Sequence, residues 1–239
     1  MKRKVTQQDV VSPAGNRVDS VAMNSPPRRR QKLAEEEKIT PIILAAGPRG
    51  SLPFPKALAP FGRETALERA VQCCSEAHGF GPPVVVLGSD AESILAQWKP
   101  PDGTIVVRNP DWRAGQISSL RAGLRRVARN AAFLLYPVDY PLIFPGLLAR
   151  LWWAYSHRSP GEGIVVPAMN ERDGHPILVA PELRQEVVRA KTARDVVHRK
   201  DRPQRILRVR VRDSAIFHDF DSPSTYRLCV RLLGGHHRA

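Results

Sequence analysis

Residues 39–62 read Ile-Thr-Pro-Ile-Ile-Leu-Ala-Ala-Gly-Pro-Arg-Gly-Ser-Leu-Pro-Phe-Pro-Lys-Ala-Leu-Ala-Pro-Phe-Gly, and the change of character inside this stretch decides the fold. From Pro41 to Ala46 the chain is short and apolar, as a strand buried on both faces is. At Gly47 that pattern stops. A loop holding Gly47, Pro48, Gly50, Pro53 and Pro55 follows, and Lys56 lies beyond it. Small residues at 45–47 let a ligand approach the backbone, and exposed N–H groups in such a loop suit phosphate oxygens. A lysine beside the loop adds a mobile point charge for the same phosphates. Two standard phosphate motifs do not fit. The dinucleotide fingerprint needs glycines at its first, third and sixth positions, and counting from Gly47 the third is Arg49 and the sixth Leu52. The P-loop needs Gly-Lys-Ser/Thr, and Lys56 is preceded by Pro55.

Outward from this stretch, short β-branched runs alternate with longer segments of helical period. Strands are expected at 41–46, 83–88, 104–108, 132–138, 163–168, 175–180 and 205–212, with a shorter one at 215–219. Helices are expected at 64–78, 90–98, 116–129, 145–158, 181–190, 192–200 and 222–233. In the first helix Leu67, Ala70, Val71 and Cys74 form one apolar stripe. Ser89 or Asp90 can cap the second. The alternation calls for an α/β fold, a mainly parallel sheet with right-handed crossovers and helices on both faces. In such sheets ligands sit beyond the carboxyl ends of the strands. The loops after Ala46, Leu87, Val107, Val138 and Val166 are therefore the ones to read for function.

Composition narrows the class. At 239 residues, 42% hydrophobic and 25% charged, the chain suits one large α/β domain or two small ones. Net charge is +14, which permits attraction to nucleic acid, membrane surface or nucleotide triphosphates. The arginines are scattered over segments 121–129 and 205–212, and aromatics, at 6%, do not interleave with them as a stacking platform would. Solvated basic faces are expected, not a nucleic-acid site. Cys73, Cys74 and Cys229 have neither disulfide nor zinc spacing, which indicates a reducing compartment. The apolar region Ala131–Leu151 is broken by Pro137, Asp139, Pro141 and Pro145, so no membrane span is expected, and the N-terminus lacks the apolar core of a secretory signal. A cytoplasmic protein is the default expectation. Residues 1–38 have no hydrophobic period and carry Arg28-Arg29-Arg30 and Glu35-Glu36-Glu37; they read as a disordered basic extension before a domain at 39–235. The sequence carries no signature of oligomeric state.

Four further segments have chemical character. The first runs Asn109-Pro110-Asp111-Trp112-Arg113-Ala114-Gly115-Gln116-Ile117-Ser118-Ser119-Leu120-Arg121-Ala122-Gly123-Leu124; its serines stand where a loop enters a helix and can cap that helix or contact a ligand. Asp139 ends an apolar strand before Tyr140-Pro141-Leu142, as a turn-former, a cap or a magnesium ligand does. His175, in Gly174-His175-Pro176, precedes a strand, and Arg194 lies in a helical segment. Finally, strand alternation would place Asp219 and Asp221 on one face, while Asp221 or Ser222 can equally cap the last helix with Pro223 in its first turn.

Together these segments, in this order from Thr40 to Leu233, resemble the MobA-like NTP transferase family. That family's signature runs Leu-Ala-Ala-Gly-x-Ser/Gly-x-Arg-Met-Gly-x-x-Lys. Leu44, Ala45, Ala46, Gly47 and Lys56 match it, and Leu52 stands at the methionine. Arg49 stands at the small residue, Ser51 at the arginine and Pro53 at the last glycine. The resemblance implies a Rossmann-like three-layer sandwich. It also implies transfer of a nucleotidyl group from an NTP to a small phosphate-bearing acceptor with release of pyrophosphate, using Mg²⁺ or Mn²⁺. On this resemblance Leu44, Ala45, Ala46, Gly47 and Lys56 bind the nucleotide, with the backbone around Ala46–Gly50 holding the triphosphate and Lys56 neutralising its charge, and Ser118 and Ser119 line the base pocket. Asp139 holds the metal with Asp221, and His175 and Arg194 face the acceptor. Leu-Ala-Ala-Gly with Ser118-Ser119 is closer to the cytidylyltransferase branch, which leans towards CTP and a molybdopterin acceptor. Catalysis is assigned to Lys56, Asp139 and Arg49, with Arg49 standing in for the arginine that Ser51 replaces. The alternative is a degenerate homologue that binds nucleotide without turnover.

Overall fold

A computed structural model describes residues 38–197 and 205–236. Residues 1–37 of the expected extension, and 198–200 of the helix expected over 192–200, lie outside the described residues. In chain order the strands are β1 (Thr40–Ala45), β2 (Pro60–Phe61), β3 (Glu64–Thr65), β4 (Val84–Leu87), β5 (Ile105–Arg108), β6 (Phe133–Pro137), β7 (Ile164–Met169), β8 (Arg172–Asp173), β9 (Ile177–Val179) and β10 (Ile206–Arg210). The helices are α1 (Ala66–Glu76), α2 (Ala91–Gln97), α3 (Gln116–Leu124), α4 (Pro145–Ser156), α5 (Arg184–Arg189), α6 (Ala193–Val197) and α7 (Pro223–His236).

The main sheet runs β5-β4-β1-β6-β9-β7-β10, with β8 added on β7, while β2 and β3 form a separate hairpin. β1 pairs in parallel with both β4 and β6. The chain steps outward from β1 through β4 to β5, then returns to the other side of β1 as β6. The strand order therefore reverses between β1 and β6, and a crevice opens there at their carboxyl ends. Only β9, within the main path, runs antiparallel, pairing with β6 and β7. The mainly parallel three-layer α/β sandwich expected from sequence is what forms.

Apolar side chains on both faces of the central strands explain why β1, β4 and β6 read as unbroken apolar runs. Ile43, Val85, Leu134 and Tyr136 join one core with Leu67, Val71 and Cys74 of α1 and Leu147, Leu148 and Leu151 of α4. Ile42, Val84, Val86, Phe133 and Leu135 join the other with Ile117, Leu120 and Leu124 of α3 and Val187 of α5. α1 starts in a capping box: Thr65 Oγ1 accepts from the Glu68 N–H, and the Glu68 carboxylate accepts from the Thr65 N–H at 2.7 Å.

Several expected boundaries move. The strand expected at 215–219 is a 3₁₀ turn, Ser214–Phe217. Asp213 Oδ1 accepts from the Ala215 N–H at 2.8 Å, and this local bond starts a turn where the apolar run alone suggested extension. Asp219 and Asp221 consequently lie in a loop, so the alternation argument that put them on one face does not apply. The helix expected over 116–129 ends at Leu124, and that over 181–190 divides into a 3₁₀ turn, Pro181–Leu183, and α5.

Several arginines have structural work. Arg205, buried, makes two 2.9 Å bonds to Glu186. Arg208 grips Asp173 with two more, at 2.8 and 3.0 Å. Arg121 donates to the carbonyls of Val188 and Ala190, and Arg184 to those of Leu124 and Ala128, satisfying carbonyls that helix ends leave open. Among the described residues no helix is long and apolar enough to cross a membrane.

Candidate functional site

The crevice at the reversal point is a cleft of about 220 Å³. Its floor is the end of β1, Leu44 to Gly47, with Pro48 above. Lys56 and Pro137-Val138-Asp139 close one side, and Trp112, Gly115, Gln116 and Ser119 the other. Thus the sequence-predicted Leu44, Ala45, Ala46, Gly47, Lys56, Ser119 and Asp139 all meet in one place. The backbone at Gly47 is open, since an added Cβ there would meet nothing within 4 Å.

The loop from Gly47 to Pro55 is anchored at both ends. Gly50 has φ +63°, and a Cβ on it would stand 3.3 Å from the Asp221 carbonyl, so both conformation and space favour glycine. Leu52 is buried and holds the loop down. Past it, Phe54 and Phe61 pack edge-on against Tyr226 of α7, each at 5.3 Å, and Phe61 also meets Phe220 at 5.2 Å. The Tyr226 hydroxyl donates to the Pro60 carbonyl at 2.6 Å. This cluster fixes the 3₁₀ turn Lys56–Leu58, which aims Lys56 into the cleft.

Lys56 Nζ lies 2.9 Å from Asp139 Oδ2, both side chains being about four-fifths buried (19% and 22% exposed). The backbone of Asp139 is held separately, its carbonyl accepting from the Phe220 N–H at 3.1 Å. Carboxylate oxygens are hard donors that suit Mg²⁺ or Mn²⁺. In this structure the Asp139 carboxylate is neutralised by the Lys56 ammonium. Among the described residues no group of three or more His, Cys, Asp or Glu comes together as a metal cage. The donor set therefore fits a cation that draws its remaining oxygens from substrate phosphates and water, as Mg²⁺ does.

Asp221 is less directly placed. It is exposed, and its Oδ1 accepts from Thr225 Oγ1 at 3.4 Å across the first turn of α7. Ser222 caps that turn, its Oγ 3.3 Å from the Thr225 N–H. Asp219 instead shares its field with Asp139: burial first, then Asp219 and Asp139, push the Tyr140 phenol well above its usual range. The same causes push the Cys229 thiol up to about 11. Burial also drives Cys73 up to about 12 and Cys74 well above its ordinary value, which favours the protonated thiols.

His175 packs on Tyr140, the residue after Asp139, with ring centres 4.7 Å apart, and does not itself line the cleft. Its N–H donates to the Ile216 carbonyl at 3.0 Å, and a Cβ on Gly174 would come within 2.7 Å of Ile216, so the loop is packed tightly at that point. Arg194 is exposed on α6, which packs beside α5, and does not line the cleft. Ser118 does not line it either. Its hydroxyl donates to the carbonyls of Gly115 (2.8 Å) or Asp111 (2.9 Å).

Asn109, Trp112 and Gln116 organise the Ser119 side of the cleft. Asn109, buried, donates from Nδ2 to Ser118 Oγ and Ser119 Oγ, both at 3.0 Å, and accepts the Asp111 N–H at 3.1 Å. Trp112 and Gln116 form the wall. Asn109 and Trp112 follow β5 directly, and that position after a strand is their signal in the sequence. Replacing Asn109 with alanine removes three bonds from a buried site, and a loss of about 2–3 kcal/mol of folding stability is expected. Urea melts would measure it, and an unchanged midpoint would deny Asn109 this role.

On the other flank, Arg49 Nη2 meets Asp90 Oδ1 at 2.6 Å. Asp90 begins α2 yet makes no side-chain cap bond, because its carboxylate is taken by Arg49 and Ser89.

The family model for the MobA-like NTP transferase domain matches residues 41–211. The molybdenum cofactor cytidylyltransferase of Escherichia coli (strain K12) is 27% identical over 153 residues, 62% of this chain and 73% of that protein. The crystal structure of Rv0371c from Mycobacterium tuberculosis H37Rv is similar at TM-score 0.70 and 28% identity, over 82% of this chain and 98% of that one. A structure of Rv0371c in complex with manganese gives TM-score 0.68 and 28% identity, over 81% and 98%. A nucleotidyl transferase from Methanothermobacter thermautotroptrophicus shares the fold at TM-score 0.71 with 19% identity, over 83% and 99%. With a cleft built at the reversal point from the end of β1, Lys56 and Asp139, and a family match spanning the whole sheet, the chain belongs to the MobA-like NTP transferase family of nucleotidyltransferases.

Proposed function

We propose that this protein transfers a nucleotidyl group from an NTP, with CTP favoured, to a phosphate-bearing acceptor such as a molybdopterin cofactor. An acceptor phosphate oxygen attacks the α-phosphorus, the bond to the bridging oxygen of the β-phosphate breaks, and pyrophosphate leaves. The observation that carries this reading is the Lys56–Asp139 pair beside the open backbone of Gly47. It puts a cation, a carboxylate and a bare stretch of main chain at the mouth of one cleft.

In this reading the backbone from Ala46 to Gly50 cradles the triphosphate and Lys56 neutralises its charge. Trp112, Gln116 and Ser119, held by Asn109, seat the base. Asp139 would hold Mg²⁺ or Mn²⁺, with Asp221 or Asp219 as the second carboxylate. When bound, the metal supplies charge neutralisation at the α- and leaving phosphates. His175 orients the acceptor, and Arg194 approaches it only if α6 moves. The lean towards CTP rests on Leu44-Ala45-Ala46-Gly47 with Ser118-Ser119, and on the cytidylyltransferase relative. Free, buried cysteines support a cytoplasmic location.

A second reading, a degenerate homologue that binds NTP without turnover, is favoured by one feature. Ser51 carries no charge, and the nearby Arg49 is held by Asp90. Pyrophosphate release across the four common NTPs, with Mg²⁺ or Mn²⁺, against molybdopterin and sugar-phosphate acceptors separates the two. Release that requires CTP, metal and acceptor together is the expected result. Tight NTP binding with no release for any acceptor would replace the transferase reading with the second.

A further inference from the structure

Two cations border the phosphate loop, and each rests on an aspartate from a flanking strand's loop. Lys56 rests on Asp139, after β6, and Arg49 rests on Asp90, after β4. The second pair is asymmetric. The Asp90 side chain is 13% exposed and that of Arg49 is 45% exposed. Asp90 is fixed, since its Oδ2 accepts from Ser89 Oγ at 2.9 Å. Ser89 is in turn stitched to the end of β1, its hydroxyl 3.2 Å from the Gly47 carbonyl and its N–H 3.2 Å from that of Ala46. A Cβ on Gly88 would lie 2.3 Å from the Ala46 carbonyl, so the two loops touch backbone to backbone. Arg49 is the movable member. It follows Pro48, which lines the cleft, yet its own side chain lies outside the cleft on Asp90. The neighbouring acid, Glu92, is paired with Arg108.

We infer that Asp90 and an incoming triphosphate compete for the Arg49 guanidinium, so that Asp90 sets how tightly this loop holds nucleotide. The inference rests on the nucleotide site proposed above. A half-exposed ion pair is weak, and a triphosphate presents more negative charge than one carboxylate, with oxygens suited to a guanidinium's paired N–H groups. Transfer of Arg49 to the phosphates strips Asp90 of its counter-ion in a largely buried place. That cost opposes binding, and neutralising Asp90 removes it.

The test is calorimetric titration of the full chain with CTP and Mg²⁺, and separately with tripolyphosphate and Mg²⁺. It uses the wild type, Asp90→Asn, Arg49→Gln and the double variant. Asp90→Asn should bind both ligands about three- to five-fold more tightly, the range an exposed pair can contribute. Arg49→Gln should bind them more weakly, and adding Asp90→Asn to it should change nothing. A gain in affinity is not what structural damage produces, so the sign separates competition from loss of fold. Unchanged or weaker binding in Asp90→Asn would overturn the inference. So would tightening that persists without Arg49, which would mark a general charge effect. If the wild type binds neither ligand, the nucleotide site itself is wrong; wild-type binding without an Asp90 effect overturns the competition alone.

Discussion

Asp139→Asn should lower metal-dependent pyrophosphate release by about 10²–10³-fold or more, the loss seen when one preorganised electrostatic group is removed from a transition state. The change is close to isosteric. Asparagine can still accept a hydrogen bond from Lys56, and the Asp139 carbonyl keeps its bond from Phe220. The cleft should therefore keep its shape and lose a charge. What it loses is the hard anionic donor at the crevice between β1 and β6, where the α-phosphate must lie if the base packs towards Trp112 and Ser119. Mn²⁺ affinity measured by electron paramagnetic resonance should fall with activity. Full turnover and full Mn²⁺ affinity in Asp139→Asn would remove this aspartate from the metal site. Asp219→Asn and Asp221→Asn, assayed alongside, identify the second carboxylate. The bond from Thr225 draws Asp221 towards α7.

How far the sequence carries the fold depends on the kind of information a residue pattern holds. The runs at 41–46, 83–88 and 132–138 are apolar on both faces because β1, β4 and β6 are covered on both sides, so they are legible as buried strands. The direction of β9 is not legible: Ile177–Val179 looks the same whether it runs with or against its neighbours. The segment at 215–219 misleads because Asp213 starts a turn by a bond that hydrophobic pattern does not register. The site divides likewise. Lys56, Asp139 and the Gly47 loop announce themselves by composition next to a strand end. The role of Asp90 does not, because it is defined by Arg49, 41 residues away in sequence. Locally Asp90 looks like a helix cap, and the structure spends its carboxylate elsewhere. Asn109 is hidden for a similar reason: it acts through the two serines it holds, nine and ten residues on.

Lys56→Ala should change two affinities in opposite directions, and this is the sharpest consequence of the pair that Lys56 makes. If Asp139 holds the divalent cation, as proposed, Lys56 competes with that cation for the carboxylate in the nucleotide-free cleft, because Lys56 Nζ sits on Asp139 Oδ2 at 2.9 Å. Removing the lysine frees that oxygen, so Mn²⁺ alone should bind more tightly to Lys56→Ala than to the wild type. The triphosphate, however, loses a charge that would lie against its oxygens in a cleft largely shielded from water, where such contacts are stronger than in solvent. Affinity for CTP in the presence of Mg²⁺ should therefore fall, and turnover should fall by about 10²-fold or more. A lysine that only propped up the fold would not give this pattern, since a loosened cleft weakens both ligands. Retention of charge also matters: Lys56→Arg should recover part of the CTP affinity, but only part, because the larger planar guanidinium cannot occupy the ammonium's place on the 3₁₀ turn without displacing its neighbours. Titrations with Mn²⁺ alone and with CTP–Mg²⁺ on the three proteins decide the matter. If both affinities fall together in Lys56→Ala, the exchange of Lys56 between Asp139 and the triphosphate does not occur, and the ion pair is a fixed strut of the cleft.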